Sequence, residues 1–204
     1  LDQADLLVLV GSNLAWCHPV LMQRILALRA QRPQLQLVVI DPRRTESAAI
    51  ADEYFGIRPG TDVYLLLALL YEVFKRGQVD LAHLAPHVDG LEVLRQAVLG
   101  FEPQALAART SVPHSRIVAL AHDLMAEPRA LVYGRVGACT QEFGGLTLWL
   151  IYCLNAVTGH LDREGGMMFA EPAVDLTRAY GSRGHYGKFH SRVRKLPEFS
   201  NELP

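Results

Sequence analysis

The sequence predicts an α/β fold with a mostly parallel sheet, and the distribution of its apolar residues carries this prediction. Nearly unbroken apolar runs cover residues 6–10, 35–40 and 129–133, which is typical of strands buried on both faces. Helical patterns separate these runs, so the first strand, a helix and the second strand form a βαβ unit with parallel strands. Because half of the 204 residues are apolar, the chain can bury the core of one large domain.

The elements of the first part of the chain each have their own signal. The first strand, 6–10, runs straight into Gly11. Residues 19–32 begin with a proline, repeat apolar positions at helical spacing and stop before Pro33, which predicts a helix. The elements predicted after it are a strand over 35–40, a short helix over 45–52, a short strand over 54–57 and a largely buried helix over 63–76.

The second part of the chain is predicted to be mostly helical. Short helical patterns cover 80–85, 91–99, 103–108 and 113–126. A strand over 129–133 then leads into a glycine-rich loop, and a helix over 146–158 ends at Gly159. Helices are thus available for both faces of the sheet. We predict a Rossmann-like, three-layer α/β/α domain over residues 1–169.

Composition and charge exclude several classes of protein. A formal net charge of −1 does not indicate a nucleic-acid partner, and no apolar run reaches the roughly 18 residues of a membrane span. Cys17, Cys139 and Cys153 form no C-x-x-C pair, so no iron–sulfur or structural zinc site is expected here. Free thiols favour a reducing, cytoplasmic location. Since the chain starts at Leu1, we expect an internal piece of a longer protein.

The end of the chain differs in composition from the rest. Residues 178–195 contain six Lys and Arg, together with glycines and aromatics, but no Asp or Glu. Such a segment could hold phosphate or a nucleic-acid backbone. The alternative, which we favour, is an irregular basic arm over residues 170–204 that packs on a neighbouring domain.

The loop after the first strand is suited to an anionic ligand. Gly11 allows a tight turn and close approach of a ligand to the backbone. Ser12 and Asn13 add small polar side chains, and His18 precedes the proline that starts the next helix. Backbone N–H groups and the positive end of a helix favour an anion such as phosphate.

Charged residues follow the second and third strands. Ligands of open parallel sheets bind beyond the carboxyl ends of the strands. There Asp41 can accept hydrogen bonds from a ribose or from the N–H edge of guanine, and Arg43 or Arg44 can contact phosphate or stack on a base. Asp62 offers a second carboxylate at the same edge. Helix capping is the alternative role of each carboxylate. The G-x-G-x-x-G pattern of nicotinamide sites is absent.

A complete catalytic machinery is not recognisable in the chain. It contains neither a G-x-S-x-G nucleophile elbow nor a P-loop. Cys17 and His18 carry reactive groups, but contact with a ligand at a helix start explains them better than catalysis does. We therefore predict no catalytic residue and no metal ligand.

Four stretches occur in an order that carries a family resemblance. They are Ala4–Pro19, Val39–Thr45 with Ala51-Asp52, Ile57–Asp62, and Gly159–Gly166. Together they resemble the molybdopterin oxidoreductase family, the dimethyl sulfoxide reductase type that includes formate dehydrogenases and periplasmic nitrate reductases. The resemblance covers about residues 1–169. It implies an α/β domain that binds bis(molybdopterin guanine dinucleotide) with molybdenum or tungsten.

The resemblance also implies roles for individual residues. On the family pattern, the phosphate and pterin-linker region meets Gly11, Ser12, Asn13 and His18, the guanosine end meets Asp41, Arg43 and Thr45, and the guanine meets Gly60 and Asp62. Gln141 matches the glutamine of a Gln-His pair in a glycine-rich loop near the pterin, although Glu142 follows it here. Trp16 and Cys17 also depart from the residues usual before His-Pro.

For the whole protein, the resemblance implies a formate dehydrogenase-like enzyme with redox chemistry at the metal. The isolated piece is expected to be inactive. Iron–sulfur cysteines and the metal ligand would lie upstream, and the partners would be the remaining domains and electron-transfer subunits. One alternative is a non-catalytic subunit resembling the large iron–sulfur subunit of NADH–quinone oxidoreductase. Another is a plain nucleotide-binding domain that binds a dinucleotide by itself.

Overall fold

The computed structural model of the chain describes residues 1–169, 173 and 186–199. It divides into two compact units, Leu1–Met168 and Phe169–Pro204. The first unit contains strands β1 (Leu6–Val10), β2 (Gln36–Ile40), β3 (Glu53–Phe55) and β4 (Ala130–Gly134). Its helices are α1 (Leu14–Cys17), α2 (Pro19–Gln31), α3 (Glu46–Ala49), α4 (Asp62–Arg76), α5 (Leu91–Leu99), α6 (Pro103–Thr110), α7 (His114–Ala126), α8 (Val136–Cys139) and α9 (Gly144–Val157), with a 3-10 helix at Ala82–His87.

The four strands of the first unit form one parallel sheet in the order β3-β2-β1-β4. Strand β1 lies inside it, with Val8 opposite Val38 on one side and Val132 on the other. All five residues of β1 are buried, as their unbroken apolar character predicts. The predicted parallel α/β sheet is thereby confirmed.

Alternate residues of β1 point into two separate cores. Leu6, Val8 and Val10 pack in one core with residues of α4, α7 and α9, whereas Leu7 and Leu9 pack in the other with residues of α2 and α3. Successive side chains of a strand point to opposite faces, so helices cover both sides of the sheet. This arrangement is the predicted three-layer, Rossmann-like α/β/α architecture.

Helix α4 is the most deeply buried helical element of the first core. Leu65, Leu66, Leu69 and Leu70 have no exposed surface, and burial stabilises each such side chain by roughly 1.5–3 kcal/mol. The helix ends at Gly77, whose φ of 65° is in the left-handed region. This packing holds the first residue of α4, Asp62, at the carboxyl edge of the sheet.

The structure adds elements that the sequence patterns did not predict. Helices α1 and α8 are single turns, too short to show a helical repeat, and the stretch predicted as a helix at 80–85 is a 3-10 helix, Ala82–His87. In the second unit, β5 (Tyr186–His190) and β6 (Pro197–Phe199) pair antiparallel. Residues 178–185, which begin the predicted basic segment, lie outside the described residues.

The helices of the described chain do not meet the requirements for crossing a membrane. Within that part of the protein, no helix is both long enough and apolar enough to span a bilayer.

Candidate functional site at the carboxyl edge of the sheet

A polar cleft of about 270 Å³ lies where β1, β2 and β4 end. Parallel strands bring their carboxyl ends to one edge, so loops that are distant in sequence meet there. The loops after these three strands supply its lining: Gly11, Ser12, Asn13, Cys17, Asp41, Arg43, Thr45, Arg135, Val136 and Gly137. Six of the ten predicted site residues are therefore brought together.

The loops after β1 and β4 touch through their glycines. Gly11 has a φ of 56°, and a Cβ on it would lie 2.7 Å from the backbone carbon of Gly137. The Gly137 N–H also donates to the Gly11 carbonyl at 3.0 Å. Because backbone meets backbone here, only glycine fits at position 11 without displacing the loop. The result is a cleft wall made of main chain rather than of side chains.

Asn13 fastens the β1 loop to α3. Its Nδ2 donates to Glu46 Oε2 at 2.9 Å, and its Oδ1 accepts from Ser47 Oγ at 2.9 Å. The pKa of Glu46 is lowered by a hydrogen bond from its own backbone N–H and then by the bond from Asn13. The polar atoms of Asn13 are thus already engaged, which gives this residue a structural role in shaping the cleft.

Asp41 and Thr45 lie in the loop between β2 and α3 and differ in role. Thr45 is the N-cap of α3, because its Oγ1 accepts from the Ala48 N–H at 3.2 Å. Asp41 caps no helix; its Oδ1 accepts from the Arg43 N–H at 2.9 Å, which makes a local turn. The second carboxylate oxygen of Asp41 has no hydrogen bond to a described residue and can accept from a ligand.

Gly60, Asp62 and Gln141 form a second cluster beside the cleft. Gln141 Nε2 donates to Asp62 Oδ2 at 2.7 Å and also reaches the carbonyl of Gly137, which lines the cleft, at 3.1 Å. Asp62 is only 3% exposed, and this burial raises its pKa while the bond from Gln141 opposes the rise. Gly60, with a φ of 77°, has Gln141 Oε1 within 3.4 Å of a Cβ position.

His18 is the one predicted site residue that joins neither group. It does not line the cleft, and its Nε2 is buried without a hydrogen-bond partner among the described residues. The long helix α2 begins at Pro19, as the sequence predicted, and the single turn of α1 lies between it and the β1 loop. A role for His18 stays a prediction.

Arg135 lines the cleft but was not predicted as a site residue. The expected glycine-rich loop after β4 contains it, between Gly134 and Gly137. The available signal was the similarity of two strand ends, since Gly11 directly follows β1 and Gly134 ends β4. The sequence did not establish that β4 lies beside β1. The similarity of the two strand ends therefore could not show that Arg135 lies in the same cleft as Gly11.

A larger cavity lies elsewhere in the described chain. It measures about 710 Å³ and is lined mainly by apolar side chains of α4, α5 and α9, including Leu67, Leu94 and Trp149. It offers few groups that could hold a charged ligand, so we assign the ligand site to the smaller polar cleft. Among the described residues, no group of three or more His, Cys, Asp or Glu side chains could hold a metal ion.

The domain is a Rossmann-like α/β domain, as its sheet order and its two helical layers define. Its cleft lies at the carboxyl ends of the strands, where such domains bind ligands. A family model described as "Molybdopterin oxidoreductase" matches residues 1–191, and the chain belongs to this family. The family predicted from the four sequence stretches is thereby confirmed.

Relatives of the chain include several oxidoreductases. A nitrate reductase of Shewanella frigidimarina is 36% identical over 83% of this chain and 18% of its own length. The F420-dependent formate dehydrogenase subunit alpha of Methanocaldococcus jannaschii is 30% identical over 81% of this chain and 24% of its own. The chain thus spans about a fifth of the length of these relatives.

A solved structure shares the fold. Acetylene hydratase from Pelobacter acetylenicus superposes with a TM-score of 0.66 at 24% identity, covering 77% of this chain and 22% of that one. At this identity the match supports the architecture, and the function has to be argued from the cleft itself.

Proposed function

We propose that this chain forms part of the crevice for a bis(molybdopterin guanine dinucleotide) cofactor in a molybdenum or tungsten oxidoreductase similar to formate dehydrogenases. The observation that carries the proposal is the meeting of the Gly11 loop with Asp41 and Arg43 in one polar cleft. Family membership supports a molybdopterin cofactor, and the cleft chemistry favours its guanine nucleotide end.

The residues of the cleft fit the chemistry of a guanine nucleotide. Guanine and ribose present N–H and O–H donors, which the carboxylate of Asp41 can accept. A phosphate needs cationic donors and a close approach to the backbone, which Arg43 and the wall of Gly11 and Gly137 can supply. A Cβ at Gly11 would collide with the backbone of Gly137 and Ala138, so a larger residue there would displace the loop that forms this wall of the cleft.

Within this proposal the chain binds and orients and does not carry out the reaction. Asp41 and Thr45 would hold the guanosine, Gly11 and Ser12 the phosphates, and Gln141 would keep the neighbouring loop in place. When bound, the cofactor supplies two-electron redox chemistry at its metal. Nothing in the cleft itself acts as a nucleophile or a proton carrier in our proposal.

The wider setting follows from the family and is part of the proposal. The remaining domains of the protein would complete the crevice, upstream cysteines would hold an iron–sulfur cluster, and electron-transfer subunits would be partners. Cys17, Cys139 and Cys153 are all free thiols, which supports a cytoplasmic location.

Metal and nucleotide analysis of the protein that contains this chain tests the proposal. We expect molybdenum or tungsten together with pterin, and GMP released by acid hydrolysis of the bound cofactor. Asp41→Asn should lower the GMP released per protein, whereas Asp89→Asn, in an exposed loop, should not. Absence of both metals and of pterin would contradict the proposal and favour the non-catalytic subunit.

A further inference from the structure

We infer that Arg135 is a ligand-binding residue of the cleft that contacts a diphosphate and so distinguishes a nucleoside diphosphate from a monophosphate. This inference rests on the proposed function and deepens it. It assigns a role to a residue that neither the sequence patterns nor the family resemblance singled out.

The backbone of Arg135 is fixed on both sides. Its N–H donates to the Val10 carbonyl at 3.1 Å, and its own carbonyl accepts from the Ala138 N–H at 2.8 Å. The first bond ties it to the end of β1, and the second ties it to α8. The guanidinium therefore extends from an anchored point at the cleft wall, so that binding a ligand orders the side chain but need not order the loop backbone.

The charge of Arg135 is not offset within the described part of the chain. Some of the other arginines have carboxylate partners, such as Arg29 with Asp52 and Arg116 with Glu53. Arg135 is only partly exposed, yet it makes no salt bridge and no side-chain hydrogen bond to a described residue. Arg43, across the cleft, lies close enough to Glu46 to help lower the pKa of that carboxyl.

The distribution of charge in the lining orients the ligand. Asp41, the one carboxylate among the lining residues, lies on the β2 side, where it attracts the donors of a guanosine and repels phosphate. The β4 side is formed by Arg135, Val136 and Gly137 and carries only positive charge. Arg43 lies beside Asp41, whereas no carboxylate of the lining opposes a phosphate on the β4 side, so the diphosphate extends towards Arg135.

The β1 loop adds a main-chain donor between the two sides. No hydrogen bond from the Ser12 N–H to another described residue is present, although Ser12 is 2% exposed and lines the cleft. A planar guanidinium contacts two phosphate oxygens at once. A second phosphate adds further acceptor oxygens for the guanidinium of Arg135 and for the Ser12 N–H. A diphosphate thus uses the β4 side more fully than a monophosphate.

The test is a set of calorimetric titrations of the whole protein that contains this chain, freed of its cofactor, at low ionic strength, with GDP, GMP, ADP and inorganic diphosphate up to millimolar concentrations. We expect GDP to bind more tightly than GMP. Arg135→Gln should weaken GDP binding about tenfold or more, the loss typical of a charge-assisted contact, and should change GMP binding by less than about threefold. Arg76→Gln removes the same charge from an exposed position at the end of α4 and should change neither.

Each outcome decides between the two proposals. If ADP binds as well as GDP and both depend on Arg135, the diphosphate role stands and the guanine assignment fails. If GDP binds but Arg135→Gln has no effect, or weakens GMP equally, the inference is wrong while the guanine site stands. Failure of GDP and of inorganic diphosphate to bind at millimolar concentration would overturn the inference.

Discussion

Gln141 Nε2 lies 2.7 Å from Asp62 Oδ2 and joins two residues that are 79 positions apart in the sequence. The same nitrogen reaches the Gly137 and Ala138 carbonyls at 3.1 Å. One amide group therefore links the loop after β4 to the first residue of α4. The loop that forms one wall of the cleft is held to the buried helix by this contact.

Asp62→Asn should stabilise the fold at neutral pH. Burial raises the pKa of Asp62, so the folded state binds this proton more tightly than the unfolded state does. Its contribution to stability is present below the unfolded pKa and is lost as the pH rises through the folded pKa. An asparagine still accepts from Gln141 without the buried charge. We expect a higher melting temperature than wild type at pH 7 and a smaller difference at pH 4, measured by thermal unfolding.

The reciprocal variant serves as a control. Gln141→Ala leaves the buried carboxylate without its donor and should destabilise the fold by about 1–3 kcal/mol. If Asp62→Asn melts below wild type at pH 7, the ionised form of Asp62 is stabilised by contacts beyond Gln141.

Gly11→Ala should destabilise the protein more than Gly77→Ala. Both glycines have positive φ, 56° and 65°, but a Cβ at Gly11 meets the backbone of Gly137 whereas a Cβ at Gly77 has nothing within 4 Å. The left-handed conformation costs an alanine about 1–2 kcal/mol in either case. Urea unfolding should show about this loss for Gly77→Ala and a clearly larger one for Gly11→Ala. Equal losses of stability in the two variants would mean that the β1 and β4 loops can move apart to admit the Cβ without a cost in free energy.

Asn155→Ala should weaken the attachment of α9 to the sheet. Asn155 is fully buried; its Oδ1 accepts from the Val132 N–H at 3.0 Å, and its Nδ2 donates to the Val132 carbonyl at 2.9 Å. Alanine leaves both backbone groups of this edge-strand residue unpaired, a loss of about 2–4 kcal/mol. Chemical denaturation measures it. Gln96→Ala, on an exposed helix face, should stay within about 0.5 kcal/mol of wild type.

The sequence predicted the sheet and most helices because apolar periodicity is a local property. The run at Leu6–Val10 and the helix ending at Gly77 can be recognised from a few neighbouring residues. The contact between Gln141 and Asp62 and the position of Arg135 depend on which strands become neighbours, and spacing along the chain does not record that. The role of His18 stays a prediction, because this residue does not line the cleft although the neighbouring Cys17 does.

His160 should make stability fall at acidic pH. It is 1% exposed, with Nδ1 2.8 Å from Thr158 Oγ1 and Nε2 2.8 Å from the Glu127 carbonyl. Burial lowers its pKa, so the neutral form is favoured in the fold. The contribution of neutral His160 to the free energy of unfolding is complete above the histidine pKa in the unfolded chain, about 6.5. It is lost as the pH falls below that value, by at most about 1.4 kcal/mol per pH unit.

The free energy of unfolding should be measured between about pH 7.5 and pH 5, a range that roughly spans the titration of an ordinary histidine. His160→Gln should flatten this pH dependence, whereas His83→Gln, at an exposed position, should leave it unchanged. An unchanged slope in His160→Gln would assign the acid sensitivity to another group.

The alternation along β1 has a consequence for how the protein can vary. Leu6, Val8 and Val10 belong to one core and Leu7 and Leu9 to the other, so deleting a single residue within the strand would exchange the two sets and disrupt both cores at once. The loop after Asp41 carries no such constraint. Insertions should therefore be excluded from the strand and from the glycine contact between the β1 and β4 loops, whereas the loop after Asp41 is the part of the cleft where specificity can be redesigned on an unchanged scaffold.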